Sequence, residues 1–146
     1  MPDATDPVRR EVRIAAPPEV VFAYFTDPAR YAQWMGSAVQ LDPRPGGVYR
    51  VGMRDGVEAL GQFVEIEPPR RVVFTWGWTG RFEVAPGSTR VEVTLAAEDG
   101  GTRVVLRHYG LPDDGSRGQH REGWDLYLRR LAERAGGGDP GPDPNG

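Results

Sequence analysis

The sequence predicts an α+β domain in which a curved antiparallel sheet is covered by one long C-terminal helix. Three observations carry this. From residue 47 onward, short segments rich in Val, Tyr, Phe and Trp alternate polar with apolar residues and are separated by Gly- and Pro-containing turns. The last apolar stretch, EGWDLYLRRLAERA (122–135), changes period: Trp124, Tyr127, Leu128, Leu131 and Ala135 recur at i, i+3, i+4, i+7 and i+11, which is one stripe of a helix. Finally, both the sheet face and the helix stripe are aromatic, so each needs the other for burial. Large rings meeting across a curved sheet are expected to leave a cavity.

The elements follow in order. Residues 1–7 are polar with two prolines, an expected flexible N-terminus, and the domain is expected over 8–135. Val8, Arg10, Val12 and Ile14 alternate with Arg9, Glu11 and Arg13, a strand with one wet face. Pro17-Pro18-Glu19 opens a short amphipathic helix carrying Val21, Phe22 and Phe25 and ending near Thr26. Asp27-Pro28 caps a second short helix reaching to about Trp34-Met35. Pro45-Gly46-Gly47 leads into a strand at 47–53, and Asp55-Gly56 forms the hairpin into 57–66. Pro68-Pro69 breaks that strand and 71–78 returns; Ala85-Pro86-Gly87 precedes 89–97, and Asp99-Gly100-Gly101 turns into 102–109. A loop, Leu111-Pro112-Asp113-Asp114-Gly115, precedes the helix at 116–135. Gly136-Gly137-Gly138 ends it, and because DPGPDPNG has no apolar anchor, residues 136–146 are expected to be a disordered tail.

Composition excludes several functions. The chain has 146 residues, the size of one domain, with 18 basic against 21 acidic residues and a net charge of −3, so it lacks the basic stripe of a nucleic-acid binder. Every basic residue is Arg; without Lys there is no Schiff-base nucleophile. Cysteine is absent, removing disulfides, thiolate catalysis and Cys-ligated metals. No apolar leader or 18-residue apolar run is present, so no membrane partner and a cytoplasmic protein are expected. Arg without Lys, with 20 Gly and 14 Pro, resembles the usage of a GC-rich bacterial genome.

Period-2 alternation sorts the strand faces. Arg103 and Arg107 must be wet, which turns Val104, Leu106 and His108 inward; Val91, Val93 and Leu95 face in opposite Arg90 and Glu92. Phe74, Trp76 and Trp78 share one face, as do Tyr49, Val51 and Met53. Arg129, Arg130, Glu133 and Arg134 lie off the helical stripe and are expected in water. The candidate ligand-binding walls are therefore Tyr49, Val51, Met53, Phe74, Trp76, Val93 and Leu106 from the sheet, with Trp34, Trp124, Tyr127 and Leu128 from the helices. Only His108, Gln62 and the polar tips of Tyr and Trp could orient a ligand.

Candidate chemistry is sparse. A cavity holding both His108 and His120 could support general acid–base catalysis, since imidazole titrates near neutrality, and His108 with Tyr49, Tyr127 and Gln62 is the acid–base set a cyclase-type enzyme would use. The alternative is that His108 is a hydrogen-bonded core residue and His120 sits on a solvated first turn. Neither histidine has a second ligand at i+3 or i+4, because Glu122 follows His120 by two and Asp125 by five, so no metal is expected. Ser37, Ser88 and Ser116 lie in or beside loops without a G-x-S-x-G, and the Gly-rich segments are turns, so no catalytic residue and no cofactor are assigned.

The stretches APPEVVFAYFTDPARYAQWMG (16–36), GGVYRVGMRDG (46–56), GQFVEIEPPRRVVFTW (61–76), STRVEVTLAAEDGGTRVVLRHYGLP (88–112) and EGWDLYLRRLAE (122–133) together carry a resemblance. The chain resembles the START-related SRPBCC superfamily, in particular the family named for the activator of the heat-shock-protein-90 ATPase. That resemblance implies a helix-grip fold: a curved antiparallel sheet, two small helices after the first strand, and a long C-terminal helix over an internal cavity. It implies no shared catalytic set. Eukaryotic activators carry a further N-terminal chaperone-binding domain absent from this sequence, so a chaperone partner is not expected. The expected function is binding of a small apolar or aromatic molecule without defined catalysis. A polyketide cyclase/dehydratase-type enzyme and a chaperone-ATPase-modulating module are the alternatives, and a homodimer stays open.

Overall fold

The computed structural model describes residues 7–80 and 83–146. The expected flexible N-terminus falls almost wholly on residues 1–6, outside the described residues. The chain runs β1 (Val8–Ile14), α1 (Pro18–Thr26), α2 (Pro28–Tyr31), β2 (Ala38–Leu41), β3 (Val48–Gly52), β4 (Glu58–Glu67), β5 (Arg71–Trp76), β6 (Thr89–Glu98), β7 (Gly101–Tyr109) and α3 (Asp114–Ala135). One seven-stranded antiparallel sheet has the order β1-β7-β6-β5-β4-β3-β2. The pair α1–α2 carries the chain from one edge strand to the other, and α3 packs back against β1, where Arg10 Nε meets Asp125 at 2.8 Å. This is the expected helix-grip architecture.

Local chemistry accounts for the boundaries. Asp27 accepts from the Ala29 amide and caps α2, which stops at Tyr31 instead of reaching Met35. The chain then tightens into turns that place Trp34 and Met35 inside, and Gly36 takes φ +82°, where a Cβ would meet Val51 Cγ1 at 2.6 Å. The edge strand β2 was not anticipated, because four residues give too short an alternation to read. Helix α3 starts two residues early: Asp113 accepts from Ser116 N at 2.7 Å in a capping box, so Ser116 is a buried cap residue rather than a loop serine. No helix among the described residues is long and apolar enough to cross a membrane.

The tail departs from expectation. Arg130, assigned to water, is buried, and its guanidinium donates to Trp34 O (Nε, 2.9 Å), Gly141 O (Nη2, 2.9 Å) and the carbonyls of Pro140 and Pro142 (Nη1, 3.2 and 3.3 Å). Asp143 accepts from Gly36 N at 2.8 Å and from Tyr127 Oη at 2.9 Å, and Arg54 N donates to Asn145 O. Residues 139–146 thus form a strap along α3 held by polar contacts. Apolar anchors are unnecessary when a five-donor cation meets backbone carbonyls, and prolines limit the entropy lost on ordering.

Candidate functional site

Most of the expected cavity is filled by its own rings. Tyr49 stacks on Phe74 with centroids 4.1 Å apart and planes 13° apart, and Phe63, Tyr31 and Trp76 pack around them at 5.8–6.2 Å. Gly61, the β3–β4 partner of Tyr49, lets β5 approach closely: a Cβ there would run into Thr75 O. Of the candidate walls, Trp34, Tyr49, Val51, Phe74, Val93, Leu106 and Leu128 are core residues, and Met53 is half-buried at its edge. Tyr49 and Tyr31 hydrogen-bond each other through their hydroxyls, and burial raises both phenol pKa values well above the ordinary one. These phenols are not acid–base groups near neutral pH. Gln62 does not line the interior. It pairs with Val48 on the face opposite Tyr49 and is exposed beside Thr75 and Pro86, on the outer side of the sheet.

What remains is a small cavity of about 90 Å³ where the end of β5 meets α3. Its walls are Met35, Trp76, Trp78, Gln119, His120, Gly123, Trp124 and Tyr127. Three of these, Trp76, Trp124 and Tyr127, belong to the candidate set, and Trp78 shares the inward face read for Trp76. His120, Gly123, Gln119 and Met35 were missed. His120 sits one turn before Trp124 on the buried face of α3 with Ser116, so extending the helical stripe backward would have found it. The solvated first turn assigned to His120 is therefore incorrect.

The indole N–H groups of these walls are all paired. Trp76 and Trp78 both donate their indole N–H to His120 Nε2, at 3.3 and 2.9 Å, while His120 Nδ1 lies 2.7 Å from Ser116 O and donates to it. Trp124 donates to His108 Nδ1 at 3.0 Å. His108 must then carry its proton on Nε2, which donates to Thr89 Oγ1 at 2.8 Å, and Thr89 donates onward to Trp76 O at 2.7 Å. Trp34 donates to Tyr24 O at 3.0 Å, so every indole N–H is satisfied. The two imidazoles lie edge to face, 5.0 Å apart. Burial, and secondarily the neighbouring His120, push the His108 pKa well below the ordinary imidazole value. Histidine here serves as a socket for tryptophan.

The cavity surface is consequently mostly aromatic, with a glycine and a thioether, and its polar members besides Tyr127 are His120 and Gln119. Trp76 meets Trp78 at 5.1 Å and 82°, and Trp124 at 5.1 Å and 50°, so the rings bound the space from different directions. Tyr127 adds a fourth ring, its hydroxyl turned to Asp143. Among the described residues, no cluster of three or more His, Asp or Glu could hold a metal ion.

Residues 15–136 match the family described as Activator of Hsp90 ATPase homolog 1-like protein. The solved AHSA1-like protein of Rhizobium etli is 46% identical, with a TM-score of 0.75 over 99% of this chain and 89% of its own. DynU16, a protein of the dynemicin biosynthetic locus, is 30% identical with a TM-score of 0.81 over 95% of this chain. An uncharacterized protein of Schizosaccharomyces pombe is 32% identical over 92 residues. The match spans 49% of DynU16 and 25% of the yeast protein. The chain belongs to the AHSA1-like family of the SRPBCC superfamily.

Proposed function

We propose that this protein binds a small apolar or aromatic molecule in the tryptophan-walled cavity between β5 and α3, and does so without catalysing a reaction. The observation that carries this reading is the contrast inside the core. Elsewhere its rings pack against each other, whereas Trp76, Trp78, Trp124 and Tyr127 border unfilled space. About 90 Å³ is well short of the roughly 300–1,000 Å³ of a pocket enclosing a drug-sized ligand, so the site takes one ring or one branched end of a molecule. Gly123 favours this use: an added Cβ would meet nothing within 4 Å, so the helix leaves room where most residues would fill it.

A cyclase or dehydratase reading needs an acid–base group presented to the substrate. Both imidazoles instead spend their nitrogens on indoles, Ser116 and Thr89. The place of DynU16 in a biosynthetic locus supports a small-molecule role without specifying a reaction. A chaperone-modulating role rests on the family description alone.

Gly123→Leu provides the test, because it replaces a helix-destabilising residue and projects a side chain into the space. Single-ring aromatics should quench the tryptophan fluorescence of the native protein saturably, and Gly123→Leu should remove that response while staying folded. Unchanged binding in the variant would place the ligand elsewhere, and no binding by the native protein would leave the rings as plain core.

A further inference from the structure

We infer that the group this cavity selects is a methylated ammonium, the cationic end of a larger molecule, held by aromatic faces. The inference rests on the preceding reading that the cavity is a ligand site, and it names the ligand class. Three features of the cavity lead to it.

The first is the wall. Three indoles and a phenol surround one small space, and tryptophan is the side chain whose face attracts cations most strongly. The second is how the indoles are tied down. An aromatic ring is positive at its edge and negative on its face. The N–H edges of Trp76, Trp78 and Trp124 are all engaged by His120 and His108, and donating a hydrogen bond leaves each ring richer in electrons. The Tyr127 hydroxyl likewise donates to the Asp143 carboxylate, 2.9 Å away. The third is charge. No arginine borders the space, His120 accepts two indole N–H groups at Nε2 and is therefore neutral, and His108, behind Trp124, is held neutral by burial. The buried Arg130 guanidinium is committed to four backbone carbonyls.

The same features discriminate among cations. A primary ammonium or guanidinium needs hydrogen-bond acceptors to replace the water it loses. The imidazole lone pairs are already occupied by indole N–H groups, and Gln119, the other polar side chain on this wall apart from Tyr127, already has a partner. A trimethylammonium has no N–H to satisfy, sheds water readily and presents methyl groups that fit among the rings and the Met35 thioether. The site is built to accept the methylated cation and refuse the primary one.

Three ligands of matched size test this by titration of tryptophan fluorescence and by calorimetry: choline, its uncharged carbon isostere 3,3-dimethylbutan-1-ol, and ethanolamine. Choline should bind about tenfold more tightly than the isostere, the scale of a desolvated cation–π contact, and ethanolamine should not bind detectably. Protein made with 5-fluorotryptophan, whose faces are less negative at nearly the same shape, should lose affinity for choline and keep it for the isostere. Equal or tighter binding of the isostere, or an unchanged choline affinity in the fluorinated protein, would overturn the inference and leave the apolar-pocket reading standing. Binding of ethanolamine as tight as choline would also overturn it. If neither choline nor the isostere binds, both readings fail together.

Discussion

Acid should destabilise this protein well before its carboxylates protonate, and His108 is the group responsible. In the unfolded chain its imidazole titrates near 6.5; in the folded chain burial, and then His120, hold its pKa well below that. Below pH 6.5 the unfolded state therefore binds a proton that the folded state refuses. The stability contributed by neutral His108 is complete above the unfolded pKa and is lost as the pH falls toward the folded one, at about 1.4 kcal/mol per pH unit. From pH 7.5 to 5.0 the loss is up to about 2 kcal/mol, a sizeable share of a typical 5–15 kcal/mol, and corresponds to a drop of up to roughly 6 °C in Tm. The geometry gives the reason: a proton added at Nδ1 would oppose the Trp124 N–H that now donates there from 3.0 Å. Glu11 and Asp27, whose pKa values are lowered by hydrogen bonds to Arg103 and to Ala29, lose their contributions at lower pH, outside this window.

Urea denaturation at a series of pH values from 5.0 to 7.5, on the native protein and on His108→Gln, isolates the effect. The glutamine amide can accept from Trp124 and donate to Thr89 but does not titrate. At pH 7.5 the variant should be less stable by about 1–3 kcal/mol through imperfect hydrogen bonding. Its pH slope below 6.5 should be shallower by up to about 1.4 kcal/mol per unit. Identical slopes in the two proteins, or a native protein that gains stability on acidification, would refute the reasoning.

Three further outcomes are expected. Truncation after Gly138 removes three of the four carbonyls from Arg130 and the Asp143 carboxylate from Tyr127 and Gly36, and should cost about 1–3 kcal/mol by thermal melting; an unchanged Tm would mean that the strap is not docked in solution. Trp124→Ala should cost about 3–5 kcal/mol in denaturant melts, because a buried ring is lost and His108 Nδ1 is left without its donor; a loss under 1 kcal/mol would contradict that burial. Gly123→Ala should stabilise the fold by up to about 1 kcal/mol, since the new methyl enters open space and the helix gains propensity, and destabilisation would show that the cavity at this point is not empty.

The strand faces were legible because alternation is a strict period of two: Arg103 and Arg107 had to be wet, and Val104, Leu106 and His108 followed inward. Whether inward rings would meet or leave a gap was not legible, because that depends on registry across three strands. Tyr49 and Phe74 stand on strands separated by β4, so their stacking is fixed by pairing rather than by local pattern. Gln62 was misplaced although its own strand could have assigned it: with Phe63 turned inward, the period of two puts Gln62 on the outer face. The tail was misread because composition measures what a segment can bury. Carbonyls of Pro140, Gly141 and Pro142 have no compositional signature, and their partner Arg130 looked like any surface arginine.

The histidines show how the two readings of a polar residue can exchange roles. As catalytic candidates, His108 and His120 would have made the cavity a reactive site. As acceptors for Trp76, Trp78 and Trp124 they remove from it the indole donors that could otherwise bind a substrate carbonyl. A buried tryptophan N–H left unpaired costs about 1–3 kcal/mol, so three indoles around one cavity require acceptors somewhere. With those acceptors on β7 and on the first turns of α3, His108 off the cavity and His120 on its wall, every indole N–H around the space is turned to an imidazole. The inertness of the imidazoles is thus a requirement of the binding surface: a histidine that released its indole to do chemistry would leave that N–H unsatisfied.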